Sequence, residues 1–380
     1  SKEEISKMSD IVTEAIESGA LGFSTSRTIL HRDVHGVYVP GTEASSEEMK
    51  SLAFAIDKAG EGTLEIVSDW LDKEIEMSWM REYVEKSDCG LTVLQTSGDA
   101  VKTILFCEEQ FLKGKNVRPQ FPGRNVGMMF GLESSLHPFI GHPSYREIAD
   151  LPLSERVKIM KDPAFKEKLL NEKPNFASEI EKSMTEQGNT KSQEEIKEAD
   201  NLGLKLNSNY ETQFSLGDPP NYEPGKEDSI SALAKSKGIA ELEVIYDEFL
   251  KNEGTNLVYA CFTPYDNHKL DFVERAYSLK SSVAGGSDGG AHCGLICDAS
   301  MPTTNLSHWA RDREAGKKIP IELIVRKQTK DTAETYGLFD RGEIKTGMLA
   351  DLNIIEFEKL NVTHPQMVYD LPLGGRRLIQ

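Results

Sequence analysis

Histidine is scarce in this chain: there are 8 among 380 residues, and none lies between Val37 and Leu136. No imidazole ligand or base can therefore come from that long stretch. Cysteine is scarce too, and five residues, an odd number without paired spacing, argue against a disulfide framework and for a reducing compartment. No apolar run approaches the ~20 residues that span a bilayer, and the first residues, SKEEISKM, are too polar for a signal peptide. Basic residues are outnumbered, 44 Lys and Arg against 62 Asp and Glu, for a net charge of −18 and a pI near 5.0. Binding to a phosphate backbone is excluded on that balance, so no nucleic-acid partner, no membrane and a cytoplasmic location are expected.

What is present is alternation. A length of 380 residues suits one α/β barrel with insertions as well as two ordinary domains. Ser1 and Glu4 have capping-box spacing, and Ile5, Met8, Ile11, Val12, Ala15 and Ile16 share a helical face that Gly19 ends. A second helix opens at Ser45, with Glu48 three residues on, carries Met49, Leu52, Ala53 and Ile56 inward, and stops at Gly60. Further helices are expected around 74–85, 100–112 and 270–279. Strands are expected at 19–26, 63–68, 91–95, 117–121, 256–262 and 281–287, all parallel in one sheet, or five of them so with the sixth inside an insertion. Alternating elements of this length indicate right-handed βαβ units with the spacing of a (β/α)₈ barrel. The apolar runs fit strands buried on both faces.

From Gly123 the rhythm breaks into Pro-marked loops and a charged stretch over 161–200, which reads as a solvated helical face. The expected organisation is βα units over 1–122, an insertion or lid over 123–254, the end of the barrel over 255–346 and a closing segment over 347–380. The helical pattern begins at Ser1 itself, which suggests further sequence upstream. A sheet left open at one edge invites pairing, so a homo-oligomer is one expected state.

Chemistry concentrates in 281–298, SSVAGGSDGGAHCGLICD, where a strand runs into a Ser-Asp-Gly-Gly turn carrying Asp288, with His292 close behind. A barrel strand presents a catalytic acid in this way. Asp before Gly is also ordinary turn chemistry, and on these residues alone the plain turn is the stronger reading. Arg27, His31 and Arg32 lie just past the first strand, where a basic cluster could hold a carboxylate. Surface salt bridging is the rival reading in so acidic a chain. His137 and His142 precede Pro138 and Pro143 and read as loop-structuring residues. His308 and Trp309, followed by Arg311, Asp312 and Arg313, read as helix packing.

The segment 329–359, TKDTAETYGLFDRGEIKTGMLADLNIIEFEK, resembles the closing segment of amidohydrolase-superfamily enzymes. With GGSDGGAH, GALGFST, GHPSYREIADLPLSERV and LGDPPNYEP, the chain over 11–380 resembles the N-acyl-D-amino-acid deacylase (D-aminoacylase) branch. The resemblance implies a TIM-like barrel, incomplete here with about five of eight strands, a strand after Leu352 and a remnant of a small β-sandwich. It also implies metal-dependent hydrolysis of a linear amide in an acyl amino acid, with one Zn²⁺. In that pattern Asp288 is metal ligand and proton carrier; its neighbour His292 could orient the attacked carbonyl or cap the site, with an ordinary hydrogen-bonded histidine an equal reading, and Arg27 and His31 are the substrate contacts read above from their position past the first strand. The His-x-His and Cys ligands of the pattern have no counterpart in this chain, so most zinc ligands are expected upstream. EIVSDW and TVLQTS stand where members of the pattern carry histidines. Asp69 or Gln95 could contribute an oxygen there, although a solvent-facing turn residue is the stronger reading of each. The alternatives are a cyclic-amide hydrolase similar to hydantoinases and dihydroorotases, and a non-catalytic binding protein on the same scaffold.

Overall fold

The first helix carries its own cap. In α1 (Lys2–Glu17) the Ser1 hydroxyl accepts the Glu4 amide while the Glu4 carboxylate takes the Ser1 backbone nitrogen, a reciprocal capping box. Its buried face runs through Val12, Thr13 and Ile16, and Ile11, expected inside, is 62% exposed. Helix α2 (Ser46–Ala59) is capped by Ser45 and closed by Gly60 at φ 86°, with Met49, Leu52, Ala53 and Ile56 buried as expected. The computed structural model describes residues 1–29, 31, 38–70, 72–95, 101–176, 205, 207–263, 265–287, 289–290 and 292–380. The chain divides into two units, one made of Ser1–Gly123, Asp271–Gly286 and Pro302–Leu360, the other of Arg124–Leu270, Ser287–Met301 and Asn361–Gln380.

In the first unit β1 (Gly22–Arg27), β2 (Thr63–Ser68), α3 (Lys73–Lys86), β3 (Gly90–Leu94), α4 (Val101–Leu112) and β4 (Val117–Pro122) follow in turn. A further strand, Val283–Gly285, pairs parallel with β4, giving a five-stranded parallel sheet with β1 at one edge. Alternation along parallel strands sorts the side chains into two faces. Leu64, Ile66, Leu91, Val93 and Val117 pack against Met49, Leu52, Ile56, Met77 and Met80 of the helices. The other face carries Ser24, Glu65, Thr92 and Arg118, which are register partners, and Gln120 beyond them. β3 and β4 are largely buried on both faces, as expected, yet one of those faces is polar. It is held by hydrogen bonds between strands and not by apolar packing.

At the N-terminal edge of this sheet the Thr335 carbonyl, ending the helix Lys330–Thr335, accepts from Thr63 Oγ1 at 3.0 Å and Asn116 Nδ2 at 2.9 Å. Gly90 sits between these donors, and a Cβ there would come within 2.6 Å of Thr63 Oγ1. The convergence therefore requires glycine.

The second unit holds an antiparallel sheet in the order β5 (Val126–Phe130), β7 (Val258–Thr263), β6 (Gln213–Ser215). The strand expected at 256–262 among the parallel set is β7. It runs antiparallel because both of its neighbours come from the insertion, so five of the six expected strands are parallel and the sixth belongs with the insertion. Phe130, Phe139, Tyr145, Val244, Tyr246, Phe249 and Val258 form the core here. With Val283–Gly285 counted as β8, β9 (Gln366–Leu371) and β10 (Gly375–Ile379) close the chain as a hairpin, pinned by Arg377 and Asp370. The strand expected after Leu352 is absent: 351–356 pairs with no strand among the described residues, and Leu352, Ile354 and Ile355 are exposed. A strand exists only through its partner, and none lies beside this segment. No described helix is long and apolar enough to cross a membrane.

Candidate active site at the strand ends

Parallel sheets gather their loops at the C-terminal edge, and in the first unit Arg27, Ser68, Leu94, Pro122 and Gly285 end the five strands there. Arg27 points to the helix side of β1. Its Nε donates to Glu76 Oε1 at 2.8 Å, Nη2 pairs with the same carboxylate at 2.6 Å, and Nη1 donates to the carbonyls of Gly41 and Ala44. With its side chain 11% exposed, Arg27 fastens the 40–44 turn to α3, and a substrate carboxylate there would have to displace Glu76. His31 lies nearby, its Nδ1 2.5 Å from Ser26 Oγ. Ser26, missed in the sequence, lies on the polar face with Ser24 and Glu65; the serines spaced by two in Ser24-Thr25-Ser26 were the available signal. Arg32 and Asp288 lie outside the described residues.

The solvent-facing turn residue expected at Asp69 is instead a half-buried residue directly after β2. Its Oδ2 accepts the Ile29 amide at 2.8 Å and its own amide donates to the Arg27 carbonyl, which ties the loops after β1 and β2 together. Gln95 is a correction, because it is 1% exposed and not solvent-facing. Its amide donates to the Gln120 carbonyl at 2.8 Å, so the ladder with β4 continues past β3 and turns the side chain inward. Gln95 Oε1 is buried without a hydrogen-bond partner among the described residues.

Below this edge the polar face forms a connected layer. Gln120 Nε2 donates to Thr92 Oγ1 at 2.8 Å and Glu65 Oε1 at 3.1 Å, with the Tyr336 hydroxyl 3.5 Å from Glu65 Oε2. Burial first, and then the Glu65 charge, push the Tyr336 phenol up to about 12, so it stays a donor throughout the physiological range.

In the second unit His292 is exposed, with φ 50°, and its carbonyl accepts the amides of Leu295 and Ile296. His137 and His142 are buried, and His137 Nδ1 accepts the Phe139 amide, which is the loop-structuring role expected of it. Asp298 pairs with Arg124 at 3.3 Å. In the first unit the helix around His308 places Trp309 inside, donating to the Gly123 carbonyl at 2.5 Å, and Arg313 against Glu274 at 2.6 Å.

Residues 1–375 match the sequence pattern described as the amidohydrolase family. The chain belongs to that family. A search of curated proteins and a search of solved structures each found no match. An amidohydrolase usually binds a metal, often zinc, and a zinc site needs three or four protein ligands. Among the described residues of this amidohydrolase no three His, Cys, Asp or Glu side chains gather. Gln95 Oε1 is one open oxygen, and Asp69 is engaged by a backbone amide. The described residues alone do not fit a zinc centre.

Proposed function

We propose that this amidohydrolase cleaves the linear amide bond of N-acyl amino acids, with preference for the D form. The observation that carries the reading is the family match over 1–375, and the deacylase-like segments GALGFST, LGDPPNYEP and GGSDGGAH narrow the substrate. In this reading the five-stranded sheet is an arc of a (β/α)₈ barrel and the substrate meets its C-terminal edge. One Zn²⁺ belongs to the proposal, with Asp288 as the one residue of this chain assigned to it. Asp288 takes a proton from the attacking water as oxygen adds to the amide carbon. It returns that proton to the nitrogen as the C–N bond breaks, leaving a carboxylate and an amine. His31 and His292 are the proposed polar contacts to substrate, and Arg27 holds the first loop in place.

Steady-state assays of N-acetyl-D-methionine and its L isomer test the proposal. Asp288→Asn is expected to lower kcat by about 10²–10⁴-fold with KM little changed. Asp298→Asn, which weakens the pair with Arg124, is expected to lower stability more than rate. Near-normal turnover in Asp288→Asn sinks the proton-transfer role, and no turnover of any acyl amino acid by the unaltered enzyme sinks the substrate class.

A further inference from the structure

The first unit has a cavity of about 650 Å³ at the N-terminal edge of its parallel sheet, opposite the strand ends that carry the proposed chemistry. Its lining includes Gly62 and Gly114 together with Phe111, Arg118 and Leu338. Arg118 is the unusual member. Its side chain is 7% exposed, its Nε donates to Asn116 Oδ1 at 3.1 Å, and its guanidinium carbon stands 4.6 Å over the Phe111 ring. The two terminal amino groups have no hydrogen-bond partner among the described residues. The carboxylate in ion-pair range is Glu334, 3.8 Å from Nη2 and too far for a hydrogen bond.

Burial lowers the pKa of Arg118, and the charges of Asp331 and Glu334 do not restore it. The charge is thus desolvated beyond what its neighbours compensate. A planar fork with two idle donors at a cavity wall matches a carboxylate or a phosphate. Lys115 lines the same cavity and pairs with Asp88 at 2.8 Å, so Glu61 and Glu334 are the carboxylates that disfavour a dianion. Phe111 and Leu338 beside the fork, with Leu21 and Phe339 exposed in the same lining, offer apolar surface to the rest of such a ligand.

We infer that this edge binds a small monocarboxylate with an apolar body, the carboxylate on the Arg118 fork and the body against Phe111 and Leu338. Benzoate is the probe, titrated calorimetrically into the full chain beside benzyl alcohol and inorganic phosphate. Benzoate is expected to bind at least about tenfold more tightly than either, since hydrogen bonds to a charged group set the difference. Arg118→Lys keeps the charge but loses the fork, and should weaken benzoate about tenfold or more. Should circular dichroism show that variant unfolded, Glu334→Gln decides, because removing the competing carboxylate should tighten benzoate by about two- to fivefold. Undetectable benzoate binding, equal or tighter binding of benzyl alcohol or phosphate, unchanged affinity in folded Arg118→Lys, or unchanged or weaker affinity in Glu334→Gln each overturns the site. None of these outcomes touches the amide hydrolysis proposed at the other edge.

Discussion

Arg124 and Arg118 are near neighbours in the chain, and their surroundings differ completely. In the second unit Arg124 is fully buried, and its Nη2 donates to the Cys297 carbonyl at 2.7 Å and reaches Ser300 Oγ at 3.3 Å. Nη1 reaches the Tyr259 hydroxyl at 3.3 Å, Asp298 stands at 3.3 Å, and the Tyr222 ring lies 3.8 Å beneath. Burial lowers the pKa of Arg124, but Tyr222, Tyr259 and Asp298 reverse this and leave it raised. In the first unit Arg118 has one side-chain acceptor, one ring and one distant carboxylate, and its pKa is lowered. Arg124 engages both terminal nitrogens and leaves only Nε unpartnered among the described residues, which makes it a structural tie, while Arg118 leaves both terminal nitrogens for something else.

Breaking the two arginines should show this most strongly. Arg124→Ala leaves Asp298 buried without its cation and should cost about 3–5 kcal/mol in urea unfolding. Arg118→Ala gives up one hydrogen bond and a ring contact and should cost about 1–2 kcal/mol. Equal losses would erase the distinction.

The closed character of the second unit also predicts a pH effect. Burial, with the charges of Arg156 and Arg376 behind it, lowers His137 to about 3. Below the ordinary histidine value the unfolded chain takes a proton that the folded chain refuses, so stability falls as pH drops from about 6.5 towards 3. His137→Asn keeps a capping oxygen without the titration. Between pH 7 and 5 the unaltered protein should lose stability relative to this variant by up to about 1.4 kcal/mol per pH unit below 6.5; parallel profiles would mean that His137 reaches a proton acceptor on folding.

The smallest effect is expected at Gln95, an idle acceptor of the first unit among the described residues. Gln95→Leu removes an unsatisfied buried oxygen together with the 3.3 Å bond from Nε2 to the Val93 carbonyl, so stability should change by less than about 1 kcal/mol, while turnover falls if substrate or metal uses that oxygen. A loss well above the ~1 kcal/mol of the Nε2–Val93 bond would show that the oxygen is already satisfied in the folded protein.

Local signals were the most legible. The caps at Ser1 and Ser45 and the inward face of α2 depend on residues within a few positions of one another, so periodicity and spacing located them. The direction of β7 was not legible, because an apolar run reads the same in either direction and only β5 and β6, distant in sequence, decide it. Gln95 was misplaced for a related reason: whether a residue after a strand turns in or out depends on how far its neighbour continues the ladder. The strand expected after Leu352 rested on a resemblance to segments whose partner strands are not among the described residues. At the site, the position of His31 past β1 was legible, whereas the placing of Arg27 as the last residue of β1, the hold of Glu76 on it and the contact of Ser26 with His31 required the fold.

The parallel sheet is assembled from distant parts of the chain, and this has a consequence for synthesis. β4 meets β8 through Gln120–Val283, Phe121–Ala284 and Pro122–Gly285, with about 160 residues, 123–282, between the two strands. At about 5–20 residues per second a ribosome needs roughly 8–30 s to cross that interval. Throughout it β4 has β3 on one side and nothing on the other, while most of the second unit is being made. A nascent chain that stalls in this interval exposes a bare strand edge, the form in which pairing with the wrong partner is easiest.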